Sequence, residues 1–348
     1  MANPDKPSLT RWYIDTRQLS ETTTNLPLLE TLQPDDQTSV QKFLRLPDRH
    51  MSLASNLLKY LFIHRTCRIP WTQVIISRTP KPHQRPCYIP STQTRPDGGL
   101  IPAVEFNVSH QASFVALAGC RTSSSTTTSQ TAVSEKTPAT QAALFASPLP
   151  ASSPIPSIPQ VGIDITCVDE PGRRRNKTPT TANELAEFVD IFKEVFSPRE
   201  ISSMKQIPIS SKPLHDRIKS NLRLFYAYWA LKEAYIKMTG EALLAPWLQE
   251  LEFTNVVPPA PVGPDSASPW SEPYRGVETW FYGRKVEDVR IELVAFENDY
   301  LVATAARGGE FGAEGVLKQS DDSWGVLEQV DLERDVRPCA TGNCQCLG

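Results

Sequence analysis

Three residues far apart in the chain carry groups suited to work on a polyphosphate: Asp164, Glu233 and Lys237. Asp164 interrupts the run Val161-Gly162-Ile163-Asp164-Ile165-Thr166. Glu233 and Lys237 lie one helical turn apart in Trp229-Ala230-Leu231-Lys232-Glu233-Ala234-Tyr235-Ile236-Lys237. Two carboxylates that leave the remaining positions to water and phosphate are the usual way of holding Mg2+. Lys237, Arg45, Arg49, Arg85 and His110 would add positive charge, so the set reads as metal-assisted chemistry on a pyrophosphate. Each member has an ordinary alternative. Glu233 and Lys237 could form an (i, i+4) ion pair worth only about 0.2–0.5 kcal/mol. Asp164 could be a hydrogen-bonded structural aspartate. Arg45, Arg49 and His50 could be a solvated rim where two helices meet.

These side chains need elements to hold them. The stretch from Phe225 to Thr239 is predicted to be a helix that stops at Gly240, where a residue without Cβ suits a left-handed cap. At about 3.6 residues per turn, Phe225, Tyr228, Trp229, Leu231, Tyr235, Ile236 and Met238 form a broad apolar arc that contains Lys232. Ala227, Ala230 and Ala234 leave another side open to close backbone approach, so the helix should be buried around most of its circumference. The alternation from Val161 to Thr166 predicts a strand with Val161, Ile163 and Ile165 on one face and Gly162, Asp164 and Thr166 on the other. Val104–His110 and Ser113–Ala118 predict a hairpin in which Asn107 and Ser109 oppose Phe106 and Val108.

Further elements follow in chain order. Arg11–Asp15 and Trp71–Ser77 read as strands, with helices beginning at Gln33-Pro34-Asp35-Asp36 and after Leu46-Pro47-Asp48. Arg85–Pro90 is extended, 182–196 is helical, and Phe196-Ser197-Pro198-Arg199-Glu200 restarts a helix with a capping box. Leu251–Phe253 begins a strand and 256–273 is a proline-rich loop. Gly276–Tyr282, Arg290–Phe296 and Tyr300–Ala306 read as three antiparallel strands. The divisions expected are 1–120, a Ser/Thr-rich insert at 121–160 too polar to fold, 161–306, and a weakly ordered tail at 307–348.

A net charge of −3 gives no reason to expect nucleic acid or membrane as partner. No apolar run is long enough to span a bilayer and the N-terminus is no signal peptide, so the cytoplasm is the default expectation; a monomer is expected. The basic run Arg173-Arg174-Arg175-Asn176-Lys177 reads as a solvated loop. Cys67, Cys87, Cys120 and Cys167 read as buried thiols. Cys339, Cys344 and Cys346 cluster near the C-terminus without the second ligand pair of a zinc site.

Taken in order, Phe106-Asn107-Val108-Ser109-His110, Val161-Gly162-Ile163-Asp164 and Trp229–Lys237 resemble the signatures of Sfp-type 4′-phosphopantetheinyl transferases. Arg85-Pro86-Cys87 and Phe196–Glu200 fit the same pattern. Leu46-Pro47-Asp48-Arg49 and the Ser/Thr-rich insert are most similar to fungal members, and the resemblance covers roughly residues 10 to 305. It implies an α+β fold built as a pseudo-dimer of two similar halves, with coenzyme A and Mg2+ in the cleft between them. It also implies transfer of the 4′-phosphopantetheine arm to a serine of an apo carrier protein, releasing 3′,5′-ADP. The carriers would be domains of polyketide synthases, nonribosomal peptide synthetases, aminoadipate reductase or fatty acid synthase. By motif, Asp164 and Glu233 would hold the metal, Glu233 or a metal-bound water near it would take the serine proton, and Lys237 would neutralise the pyrophosphate. Arg85 would flank the adenine and Ser109 and His110 the 3′-phosphate side; Pro86 and Asn107 would also bind the cofactor, and Arg45 and Arg49 would add charge. The chain departs from the common Asp-x-Glu at Asp164-Ile165-Thr166, where Thr166 could order a water instead or Glu200 could compensate from nearby; the family includes members lacking that second acid.

Two other readings are weaker. A different nucleotidyl or phosphoryl transferase would be expected to carry a Gly-rich phosphate loop, and the sequence has none. A carrier-protein or coenzyme A binding module without catalysis would be expected to have lost Asp164, Glu233 or Lys237, and all three are present.

Overall fold

The computed structural model describes residues 9–22, 24–80, 84–121, 159–170, 178–241, 245–308, 311–312 and 324–347. The fold is α+β. Its first part comprises β1 (Thr10–Asp15), α1 (Arg17–Thr22), α2 (Pro34–Gln41), α3 (Leu46–Cys67), β2 (Ile76–Arg78), β3 (Pro86–Tyr88), β4 (Val104–Gln111) and β5 (Phe114–Arg121). The second comprises β6 (Gln160–Cys167), α4 (Ala182–Asp190), α5 (Pro198–Lys205), α6 (Leu214–Thr239), β7 (Leu251–Thr254), β8 (Glu278–Phe281), β9 (Arg284–Val286), β10 (Val289–Phe296) and β11 (Tyr300–Arg307). β12 (Glu328–Gln329) and α7 (Arg337–Ala340) follow. No described helix is long and apolar enough to cross a membrane.

Strand alternation builds the layers. On β5, Val115 and Leu117 pack under α3, while Phe114, Ala116 and Ala118 face the other way. On β6, Val161, Ile163 and Ile165 meet those residues, and Gly162 faces α6. The order is therefore α3, the sheet β12-β1-β5-β4, the sheet β10-β11-β6, then α6. The buried middle layer is aromatic: Tyr13, Phe114, Trp270, Phe296 and Tyr300 stack or meet edge to face. β4 and β6 share no ladder of backbone bonds. Asn107, Ser109 and Gln111 instead reach from β4 and accept from the N–H groups of Ile163, Ile165 and Cys167, at 3.5, 3.2 and 3.2 Å.

Four expectations need correcting. Residues 71–77 are not one strand: Val74 N–H turns back to the Trp71 carbonyl at 3.1 Å, and the buried Trp71 indole donates to Thr31 O at 3.0 Å. Only Ile76–Arg78 is extended. The helix expected over 182–196 stops at Asp190 and passes through turns before the Ser197/Glu200 capping box. Of the three late strands, β10 and β11 extend the β6 sheet, but β8 pairs with β7 and β9 in a separate one. The tail is not loose over 324–347: β12 pairs in parallel with β1, and Val330, Leu332, Val336 and Cys339 enter the core under α3. Burial of those apolar side chains supplies the ordering free energy. Most of the insert, 122–158, and the basic run 173–177 lie outside the described residues. Cys67, Cys120 and Cys167 are buried thiols, whereas Cys87 is half-buried.

Candidate active site

The positioning of the site begins with Gly162. A Cβ there would collide with the Ala234 carbonyl and the Met238 amide, so α6 lies backbone to backbone on β6. That approach needs Gly162, and it carries Glu233 and Lys237 to the Asp164 face of the strand. Gly240 ends α6 with φ 84°, as the sequence predicts.

Lys237 does not pair with Glu233. Its Nζ donates to Asp164 Oδ1 at 2.6 Å and to Ser109 Oγ at 2.9 Å. Ser109 Oγ donates to the same Asp164 oxygen at 2.9 Å, and Thr166 Oγ1 donates to Oδ2 at 3.2 Å. With side-chain exposures of 25% and 7%, Lys237 and Asp164 are not a surface ion pair, so solvent screening is limited. One cluster thus draws on β4, β6 and α6.

Glu233 is the anomaly. Its Oε1 is buried and meets no hydrogen-bond partner. Burial and the nearby Asp164 charge push its carboxyl up to about 7, with Lys237 pulling the other way. A buried carboxylate oxygen without a partner is costly unless something cationic meets it. Asp164 and Glu233 are the two carboxylates here that could hold a divalent cation, and Thr166 donates to Asp164 beside them.

Glu200 is not part of this arrangement. It is buried with Lys232, 2.9 Å away, and accepts from Ser197 N and Phe253 N at 2.8 and 2.9 Å. Lys232 also donates to the Leu248 and Leu251 carbonyls. Burial pushes the Glu200 carboxyl up and the Lys232 ammonium down, while each charge partly restores the other. Glu200 is fully engaged in tying α5 to α6 and β7, so it replaces no metal ligand.

The remaining candidates spread outward. Arg85, from the head of β3, pairs with Glu105 at 2.7 Å and packs against Gly240, where an added Cβ would lie 2.8 Å from Nη1. It therefore stands beside the C-terminus of α6, one turn beyond Lys237. Pro86 is paired with Arg78 in the β2–β3 ribbon. His110, at the outer end of β4, is solvent-accessible. Partial desolvation and the charges of Lys237 and Lys59 hold its imidazole below the usual histidine range, against the opposing effect of Asp48 and Asp164. Asp48 lies in the first turn of α3, so that helix start faces the same region.

Arg45 caps α3 and is exposed, and Arg49 Nε donates to Phe43 O at 2.6 Å. His50 is turned inward between Ser20 and the Asn25 carbonyl, each at 3.0 Å, and belongs to the core. Sequence reasoning missed Lys59. It is buried on α3, and burial pushes its ammonium down to about 8, with Asp36 opposing and Arg78 assisting. The available signal was a lysine inside the apolar run Leu57-Leu58-Lys59-Tyr60-Leu61. A surface cavity of about 710 Å3 between Val257–Gly263 and Trp270–Tyr274 has none of these residues in its wall.

The chain is similar to known proteins along most of its length. Residues 20–122 match the model of the 4′-phosphopantetheinyl transferase N-terminal region, and 160–300 match that of the 4′-phosphopantetheinyl transferase superfamily. The chain is 57% identical to 4′-phosphopantetheinyl transferase A of Aspergillus fumigatus and 52% identical to 4′-phosphopantetheinyl transferase NpgA of Emericella nidulans, in both cases over 98% of this chain and 96% of the relative. It is 23% identical to the human L-aminoadipate-semialdehyde dehydrogenase-phosphopantetheinyl transferase, over 87% of this chain and 76% of that protein. With both halves matched in order and the fungal likeness running nearly end to end, the chain belongs to the 4′-phosphopantetheinyl transferase superfamily and is an enzyme of the fungal, Sfp-type branch.

Proposed function

We propose that this enzyme moves the 4′-phosphopantetheine arm of coenzyme A onto a serine of apo carrier-protein domains, with Mg2+ held by Asp164 and Glu233, and that 3′,5′-ADP leaves. The observation that carries the residue assignment is the orphaned, buried Glu233 Oε1 beside the Asp164–Lys237–Ser109 cluster. A Mg2+ bound there would neutralise charge on the pyrophosphate of coenzyme A. We read the two helix-backed sheets as the two halves of a pseudo-dimer, and the seam where β4 meets β6 as the floor of the cleft.

In this reading the serine Oγ attacks the phosphorus that bears the pantetheine, and the bond from that phosphorus to the ADP oxygen breaks. Glu233 is placed to take the serine proton, directly or through a water beside it. The Lys237 ammonium, held beside Asp164 and Ser109, stabilises charge as it passes to the leaving group. Arg85 and His110 hold parts of coenzyme A that do not react, together with Pro86, Asn107 and Ser109, while Arg45, Arg49 and Lys59 extend the positive field. Some relatives are named for L-aminoadipate-semialdehyde dehydrogenase. We extend that to carriers here: an aminoadipate reductase, and domains of polyketide synthases, nonribosomal peptide synthetases or fatty acid synthase.

The test is to incubate the protein with coenzyme A, Mg2+ and an apo carrier domain, and to weigh the carrier by mass spectrometry. Addition of one phosphopantetheine arm on the carrier serine supports the assignment. An unmodified carrier across representatives of all these synthase types would contradict it.

A further inference from the structure

The tail carries chemistry that the transfer site does not use. Cys339 lies on α7, and Cys344 and Cys346 follow a turn through Gly342, whose φ is 77°. This segment is laid against the last turn of α3. Arg65 Nη2 donates to the Asp335 carbonyl at 2.9 Å, and Val336 and Cys339 are buried in the core. The packing brings a fourth group to the three sulfurs: His64, buried at 1% exposure and 280 residues from Cys344.

The histidine is already oriented. Its Nδ1 is 2.7 Å from the Ile69 carbonyl, which can only accept, so Nδ1 carries the proton. Nε2 then keeps its lone pair, and it lies 3.2 Å from Cys344 Sγ. A carbonyl on the far nitrogen is the usual way a metal-binding histidine is held. On the other side Cys339 and Cys346 place their sulfurs 3.7 Å apart. All four ligand atoms fall within 4.8 Å of one another. Bonds of about 2.3 Å to sulfur and about 2.0 Å to nitrogen put tetrahedral neighbours roughly 3.5–3.8 Å apart, so the observed spacing needs little change. The sequence alone lacked the fourth ligand, because His64 sits in a helix of the opposite half.

We propose that His64, Cys339, Cys344 and Cys346 form a structural zinc site that fastens the C-terminal segment to α3. Three sulfurs and one imidazole are a closed set for Zn2+, with no position left for a reactant. On binding, each of the three thiols gives up its proton to solvent, while His64 is ready at Nε2. Three thiolates, a neutral imidazole and a divalent ion leave one negative charge, and the Arg65 guanidinium beside Cys339 offsets it. The consequence is mechanical. β12 edges the first sheet at β1, so the zinc would hold that edge strand and the apolar side chains behind it in place.

The test uses the full chain, purified under reducing conditions without chelator, and reads metal rather than transfer. We expect about one zinc per chain by elemental analysis. Cobalt substitution should give the strong visible bands of a tetrahedral site and a near-ultraviolet thiolate band. Cys344→Ser and Cys346→Ser alter half-buried positions. Each should weaken zinc binding at least tenfold and remove the loss of melting temperature that a chelator causes in the unaltered chain. Cys87→Ser, at a half-buried thiol on β3, should keep its zinc. Protein that neither retains nor takes up zinc at micromolar metal would overturn the proposal. So would a weak octahedral cobalt spectrum, zinc binding unchanged by both tail substitutions, or a Cys339–Cys346 disulfide in protein kept under reducing conditions.

Discussion

Replacing Glu233 with glutamine should make the protein more stable and less active at the same time, and the gain should depend on pH. The carboxyl is raised from 4.5 to about 7, first by burial and then by Asp164. At about 1.4 kcal/mol for each tenfold change in proton affinity, ionising it in the folded chain costs up to roughly 3 kcal/mol. The sign follows from linkage. The folded chain holds the Glu233 proton more tightly than the unfolded chain does. Stability is therefore highest below about 4.5, declines as pH rises through about 7, and is level above that. Glutamine removes the charge while keeping the shape, and its amide can donate toward Asp164. Without added Mg2+ the Glu233→Gln variant should gain about 1–3 kcal/mol at pH 8.5 and almost nothing at pH 4.5. Urea unfolding of both proteins at both pH values measures this, provided the urea slope is unchanged. Added Mg2+ should then stabilise the unaltered chain more than the variant. A variant no more stable than the parent at pH 8.5, or a gain equal at both pH values, would refute the assignment of Glu233 as a destabilised carboxylate awaiting a cation.

Gly162→Ala should cut turnover by about 100-fold or more and lower the melting temperature. The new methyl group meets backbone atoms of α6 and must push Lys237 and Glu233 away from Asp164; kinetics beside a thermal scan checks it. Lys237→Ala should reduce turnover by orders of magnitude with a smaller change in coenzyme A affinity. Arg85→Ala should do the reverse; steady-state rates beside calorimetric binding separate the two. His110 sits below the usual histidine range, so a phosphate bound beside it should draw a proton onto the ring near pH 7. Coenzyme A binding measured in buffers of different ionisation enthalpy should show that uptake, and His110→Ala should abolish it.

The parts of the site written in local sequence were legible there. The alternation of β6 placed Gly162, Asp164 and Thr166 on one face, and Gly240 and the Ser197/Glu200 box marked the ends of their helices. What the sequence could not show was which charges meet. Glu233 and Lys237 have ion-pair spacing, yet Lys237 turns to Asp164, 73 residues away, because the helix lies close enough on the strand to offer it. Glu200 looked free for a metal until its pairing with Lys232 across the α5–α6 packing was seen. Trp71–Ser77 misled through its β-branched residues, since burial of the Trp71 ring governs that segment. The tail misled in the opposite sense. Its apolar residues are few, and their partners on α3 lie almost the whole chain away.

The most direct test of the account is a mass-resolved transfer time course comparing the unaltered enzyme with Asp164→Ala and Glu233→Gln, each with and without Mg2+. The account predicts a carrier heavier by one phosphopantetheine arm only for the unaltered enzyme supplied with Mg2+, with both variants slower by about 100-fold or more at saturating metal. Either variant turning over at the parental rate, or full parental activity after Mg2+ is withheld, would contradict it.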